Sequence, residues 1–255
     1  MMAGDDSHRP WPRPGDAWRM AMRWHDLLFA HWPVQADALR PLVPAGLEIE
    51  THSGMAWLGV IPFRMTSVRP RGVPALPWVS AFPELNVRTY VTAGGKAGVW
   101  FFSLDAGNRL AVEVARRWYL LPYVYARMRI EERAGWVEYE CRRSSRAISE
   151  QRIATGLAPE FAGRYQASGP IFRSQAGSLE HFLTERYCLY ATDARGQLYR
   201  GEIDHAPWPL QPADADIRVN TMTAPLGLRL PDTAPLLHFA RRLDVVAWSL
   251  RRADE

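Results

Sequence analysis

Apolar and polar positions along this chain alternate mostly with a period of two. The clearest stretch is residues 123–130, where Tyr123, Tyr125, Arg127 and Arg129 alternate with Val124, Ala126, Met128 and Ile130. That spacing predicts a strand with its side chains sorted onto two faces. Downstream, Glu138, Glu140 and Arg142 alternate with Val137, Tyr139 and Cys141. A loop of residues 132–135 joins the two runs into a hairpin that sets Arg129 opposite Glu138, Arg127 opposite Glu140 and Met128 opposite Tyr139, with charges on one face and apolar groups on the other. An earlier hairpin is predicted from residues 84–92 and 98–104, with Ala93-Gly94-Gly95-Lys96 as its turn. Residues 57–65, 186–192 and 197–203 also read as strands, and the Pro- and Arg-rich residues 68–77 as a loop.

Helical spacing is brief. Residues 37–40 form a short helix ended by Pro44 and Gly46. Residues 110–118 carry Leu110, Val112, Val114 and Ala115 on an amphipathic turn, and Ser178 is placed to cap a helix over residues 178–185. The tail 236–250 holds Leu237, Phe239, Val245, Val246 and Trp248 and is expected to dock on the body. Strands outnumber helices, so the expected class is α+β and β-rich, a barrel or sandwich with a few short peripheral helices.

Composition narrows the picture. At 255 residues and 47% hydrophobic content the chain can bury one sizeable core, and a single domain over residues 20–255 is expected. Residues 1–19 are polar, with Pro10, Pro12 and Pro14, and read as a flexible arm without the apolar centre of a signal peptide. No apolar run approaches the ~20 residues of a membrane span, so a cytoplasmic protein with no membrane partner is expected. Of the 31 basic side chains only Lys96 is a lysine, and the arginines are scattered as short pairs. With a net charge of +4 and no basic stripe interleaved with aromatics, nucleic acid is not an expected partner. Cys141 and Cys188 lack metal or redox spacing and read as buried thiols. His25 and His31 stand six apart and His205 has no second ligand nearby, so no metal site is expected. Nucleotide and nucleophile-elbow motifs are missing, and no cofactor is expected.

Several segments carry a family resemblance. The run Asp37-Ala38-Leu39-Arg40-Pro41-Leu42-Val43-Pro44-Ala45-Gly46-Leu47-Glu48-Ile49 resembles the N-terminal part of acetoacetate decarboxylases. Residues 82–91, residues 99–105, Ala115-Arg116 with Leu121-Pro122-Tyr123, Phe182-Leu183 with Glu185-Arg186-Tyr187, and His238-Phe239-Ala240-Arg241 resemble a narrower group, the YqjF-like bacterial proteins of unknown function. The resemblance covers roughly residues 20–250 and implies the decarboxylase-like β-barrel with a central ligand cavity. It also implies a loss. The decarboxylase forms a Schiff base through the first of two adjacent lysines after a proline, and here Pro122 is followed by Tyr123 and Val124. A phenol cannot form an iminium with a ketone. By the same resemblance Glu84 matches an active-site carboxylate, the family's N-terminal arginine falls near Arg23 and His25, and a second carboxylate is lost near Leu58 and Gly59. Lys96 follows Gly94-Gly95 in a turn, where a solvated side chain is expected.

Glu84, Asn86, Arg88 and Tyr90 share one face of a strand, and Leu85, Val87 and Val91 the other. Two readings compete: the polar face meets water over an apolar core, or it lines the cavity while the apolar face packs outward. In the second, Arg88 holds a carboxylate, Glu84 acts as acid or base, and Tyr123 donates to a carbonyl. Asn86 and Tyr90 complete the binding face, and Arg64 and Arg116 are weaker lining candidates, with structural ion pairing as their alternative. The expected function is binding of a small oxo- or carboxylic acid. The alternative is a lyase, hydratase or isomerase that uses Glu84 and Tyr123. The 11 tryptophans and the run Trp100-Phe101-Phe102 also suit an apolar or aromatic ligand. The oligomeric state is left open, a homo-oligomer included.

Overall fold

Residues 6–76, 80–110, 112–113, 119–143 and 158–254 are described by a computed structural model. The strands are β1 (Met20–Val34), β2 (Glu48–Ile49), β3 (Ala56–Pro70), β4 (Phe82–Ala93), β5 (Lys96–Ala106), β6 (Tyr123–Arg133), β7 (Trp136–Arg143), β8 (Glu160–Ala167), β9 (Cys188–Thr192), β10 (Leu198–His205), β11 (Gln211–Asn220), β12 (Leu236–Ala247) and β13 (Arg251–Arg252). Two short helices, α1 (Ala36–Leu39) and α2 (Leu179–Thr184), lie between them. Ser178 caps α2 by accepting from the His181 amide, as its position predicts. The helix expected over residues 110–118 lies largely outside the described residues, although 109–110 and 112–113 are helical. Among the described residues no helix is long and apolar enough to cross a membrane.

Two strands are the branch points where closed rings meet, while β4 and β10 each carry a two-residue edge strand, β2 and β13, as a third partner. β5 pairs with β4, β6 and β9, and β12 pairs with β1, β10 and β11. Three routes therefore run from β5 to β12: through β4, β3 and β1; through β6, β7, β8 and β11; and through β9 and β10. The first two routes close a nine-strand barrel. The first and third close a smaller ring of seven strands, so β12, β1, β3, β4 and β5 form a wall shared by both.

The wall has an apolar layer on each side. In the nine-strand barrel Leu28, Leu58, Val60, Leu85, Val87, Tyr139, Phe161, Tyr165 and Phe239 pack into a filled core. In the seven-strand ring Leu27, Ile61, Phe63, Met65, Val99, Phe101 and Leu104 belong to a second cluster. Strand alternation explains the split on β4, where Leu85 and Val87 enter the first core and Glu84 and Asn86 face the second side. The alternation is interrupted on purpose-built irregularities. Asp26 (φ 52) and Ser67 (φ 55) lie where the β1–β3 register slips, and the β4–β5 register slips between Val87 and Arg88. Such bulges place consecutive stretches of one strand on opposite parity. The carbonyls near these sites are satisfied from the filled core: Tyr165 donates to Asp26 O at 2.8 Å, and Tyr139 donates to Glu84 O at 2.6 Å. A buried ion pair crosses that core's end, where Arg143 donates from Nε and Nη2 to Asp105 at 2.6 and 2.9 Å.

Several expectations change. The β6–β7 turn is two residues long, Ala134 (φ 49) and Gly135 (φ 83), so Arg129 faces Glu140, Arg127 faces Arg142, and Met128 faces Cys141. The shift is two positions, which leaves each residue on its predicted face. Val68–Pro70 continue β3, and only the residues beyond them leave the sheet. The tail does more than dock, because β12 pairs with β1 along its length. The N-terminal stretch, expected as a flexible arm, is tied to β10 from residue 8 onward. Arg9 donates to Ile203 O at 2.7 Å and to Asp204 at 2.8 Å, and Trp11 Nε1 donates to Glu202 at 2.9 Å. Cys141 and Cys188 are free and buried.

Candidate functional site

The seven-strand ring encloses a cavity of about 390 Å³. Its lining is mostly apolar, with Met20, Met22, Trp24, Ile61, Phe63, Met65, Phe101, Leu189, Ile203 and Trp208 among the walls. The polar lining residues are Glu84, Asn86, Arg88, Tyr119, Tyr123, Thr184, Arg186 and His205. Glu84, Asn86 and Arg88 thus line a cavity, as in the second of the two sequence readings for β4, but the apolar face does not pack outward: Leu85 and Val87 enter the core of the nine-strand barrel.

Glu84 is 1% exposed. Tyr123 Oη donates to its Oε2 at 3.2 Å, and the Asn86 side chain also hydrogen-bonds it. Burial pushes the carboxyl from 4.5 up to about 8. The bonds from Tyr123 and Asn86 oppose that shift, and the negative charge of Asp105 adds to it. Burial and the adjacent Glu84 push the Tyr123 phenol well above its ordinary value. At neutral pH this pair is thus a protonated carboxyl beside a neutral phenol.

Arg88 donates from Nε and Nη2 to Tyr90 Oη at 3.3 and 3.2 Å, and from Nη2 to Leu183 O at 3.0 Å. Among the described residues no carboxylate pairs with it. Tyr90 shares its strand face but does not line the cavity, because the end of α2 and His31 close over it. Its hydroxyl donates to Leu183 O at 2.8 Å and lies 2.6 Å from His31 Nε2. Tyr90 is a support for Arg88, which corrects its expected place in the binding face. Arg64 is also corrected. Phe63 and Met65 face the cavity, so Arg64 between them faces out, 44% exposed and paired with Asp26 at 3.1 Å. Arg116 lies outside the described residues. Lys96 is not the solvated turn residue expected. Its Nζ pairs with Glu202 at 3.0 Å and sits 5.3 Å from the Trp11 ring centre, outside the cavity lining.

Sequence reasoning gave no role to Arg186, Thr184 or His205. Arg186 Nε donates to Phe182 O at 2.7 Å, Nη1 pairs with Glu50, and the guanidinium lies 5.1 Å from the Tyr90 ring centre. Burial raises the Glu50 carboxyl, and Arg186 opposes the rise. The His205 ring bonds Ala206 O and Arg186 O, and burial lowers its pKa. The one available signal was that Arg186 lies in the Glu185-Arg186-Tyr187 segment of the family pattern.

Comparison with known proteins agrees with this architecture. The model of the DUF2071 family, described as an uncharacterized conserved protein, matches residues 21–244. The uncharacterized protein YqjF of Bacillus subtilis (strain 168) is 45% identical over 239 residues, which is 94% of either chain. Among solved structures, acetoacetate decarboxylase from Legionella pneumophila has a TM-score of 0.61 at 11% identity, over 97% of this chain and 94% of that one. The enduracididine biosynthesis enzyme MppR, complexed with the condensation product of pyruvate and imidazole 4-carboxaldehyde, has a TM-score of 0.63 at 12% identity, over 93% and 90%. An acetoacetate decarboxylase-like enzyme from Sphingomonas wittichii RW1 gives 0.59 at 14% identity, over 93% of both chains. These three likenesses are of fold. Together with the family match and the YqjF relative, they establish that this chain belongs to the DUF2071 family and carries the acetoacetate decarboxylase-like β-barrel.

Proposed function

We propose that the cavity of the seven-strand ring binds a small oxo- or carboxylic acid without covalent attachment. The observation that carries this reading is Arg88: a guanidinium on the wall of a mostly apolar cavity, held by a phenol and a carbonyl, with no carboxylate partner among the described residues. Arg88 is half-buried, and a guanidinium partly withdrawn from water is stabilised by a charge-assisted bond to an anion, which a ligand carboxylate would supply. The chain's lone lysine is engaged with Glu202 outside the cavity, so amine condensation with a ketone has no residue here. Titrating levulinate and octanoate against tryptophan fluorescence tests the reading. Arg88→Met is expected to weaken binding about ten-fold or more, the size of a lost charged hydrogen bond. Equal affinity in the variant, or no saturable signal with either acid, would sink it.

A second reading is proton transfer, as in a lyase, hydratase or isomerase. Glu84 favours it, as a buried carboxyl that titrates near the operating pH and is hydrogen-bonded to Tyr123. Such a group would exchange the protons next to a bound ketone with solvent. Deuterium wash-in at C3 of levulinate, followed by NMR, is expected for the wild type and at least 100-fold slower for Glu84→Gln, in line with the ~10²–10⁴ of general acid–base catalysis. Equal rates remove Glu84 from any mechanism.

A further inference from the structure

The cavity has two polar poles joined by a strip of rings. Glu84 and Arg88 stand four residues apart on β4, which separates them by roughly 13 Å along the strand. At the first pole Tyr123 and Asn86 both bond the Glu84 carboxyl. At the second, Arg88 Nη1 and Arg186 Nη2 take part in none of the hydrogen bonds among the described residues. Both guanidinium groups lie around Tyr90, 5.4 and 5.1 Å from its ring centre.

The strip runs from one pole to the other. Phe63 is the register partner of Glu84, and Trp24 meets it edge-on with centroids 5.9 Å apart. Trp24 stacks on Trp208 at 5.8 Å and 19°. Behind the lining, the fully buried Phe29 meets Trp208 edge-on at 4.8 Å and lies 5.7 Å from Arg88, so it backs both the end of the strip and the second pole. The volume of about 390 Å³ also exceeds the need of a three- or four-carbon acid. At a liquid-water share of about 30 Å³ per molecule it holds on the order of a dozen non-hydrogen atoms.

We infer that the ligand is an extended monocarboxylic acid of medium length: its carboxylate at Arg88 and Arg186, its apolar chain or ring along the wall made by Phe63, Trp24 and Trp208, and a carbonyl or hydroxyl oxygen at Tyr123 and Glu84. This rests on the acid-binding reading and narrows it to a substrate class. Arg186 becomes a specificity-determining residue. Phe182 O and Glu50 engage its Nε and Nη1 and leave Nη2 for the ligand.

Calorimetric titration of the full chain with pyruvate, levulinate, octanoate and 7-oxooctanoate tests the inference. Against levulinate, 7-oxooctanoate buries three more methylenes and is expected to bind about ten-fold tighter or more. Against octanoate it adds a distal hydrogen bond and is expected to gain about three-fold or more. Tyr123→Phe should erase the preference over octanoate while leaving octanoate binding intact. Arg186→Leu should weaken both eight-carbon acids alike, and if that variant does not fold the Tyr123→Phe comparison decides. Levulinate or pyruvate binding as tightly as 7-oxooctanoate, through Arg88, overturns the length argument and leaves the acid-binding reading standing. Octanoate matching 7-oxooctanoate overturns the distal pole. No Arg88-dependent binding of any acid overturns both readings.

Discussion

Glu84 is buried against a phenol and an amide, with no cation paired to it among the described residues. Its carboxyl ionises near 4.5 in the unfolded chain and near 8 in the fold. Between those values the unfolded state gives up a proton that the folded state keeps, so stability is full below 4.5 and falls as pH rises, by up to about 1.4 kcal/mol per pH unit. Glu84→Gln imitates the protonated form and removes this titration. Denaturant unfolding is expected to show the variant gaining on the wild type by a few kcal/mol between pH 5 and pH 8. A difference that stays flat across that range would show that Glu84 is ionised in the fold. Glu84, Asn86, Arg88 and Tyr123 were legible in the sequence because strand parity and one family motif placed them. Arg64 was misplaced because residues 57–65 are too uniformly apolar for their parity to be read. Tyr90 has the right parity, and what excludes it is α2, a contact across 93 residues to Leu183 O. Arg186, between α2 and β9, and His205, at the end of β10, sit where no periodicity announces a cavity, and only the family segment marked Arg186.

Hairpins were the most readable elements, and their turns explain both the success and the error. The β4–β5 turn is made by Gly94 (φ 57) and Gly95 (φ 72), and glycine adopts such angles without strain. The β6–β7 turn uses Ala134 in the same left-handed region, a position where alanine is no signal, so a four-residue loop was the natural expectation. β5 also shows how closely two strands can approach. A Cβ on Gly98 would lie 2.7 Å from Cys188 Sγ and 2.8 Å from Cys188 O, beside the Val99–Leu189 and Trp100–Tyr190 pairs that join β5 to β9. Gly98→Ala is expected to destabilise the fold by about 1–3 kcal/mol, the usual cost of overpacking. It should also weaken ligand binding, since that seam closes the seven-strand ring. Gly15→Ala, with nothing within 4 Å of its Cβ, serves as the neutral control. Urea midpoints that coincide for the two variants would show that the seam yields freely.

At the scale of the whole molecule, the β-rich barrel and its kinship were readable from the sequence, but its branching was not. Pairings such as β1 with β12 join residues more than 200 positions apart, and single-sequence periodicity carries no record of which strands become neighbours. β1, β8 and β11 also went unread, although Ala213, Ala215, Ile217 and Val219 in β11 alternate with more exposed residues as strictly as any stretch of the chain. The result is a molecule in which one lobe is solid and the other hollow, with five strands serving both. For the history of such a chain, that shared wall sets a rule of counting. Gaining or losing one residue inside a wall strand would send every following cavity residue into the solid lobe and bring core residues into the cavity, while gaining or losing two would restore both sets. The slips at Asp26 in β1, at Ser67 in β3 and at Phe102 in β5, opposite Val87 and Arg88, are the places where an odd count has been absorbed. Trp24 and Leu27, Met65 and Val68, and Phe101 and Leu104 each stand three apart and all line the hollow. Among relatives, odd-numbered insertions and deletions within the wall should therefore gather at these three points, and even-numbered ones elsewhere along it.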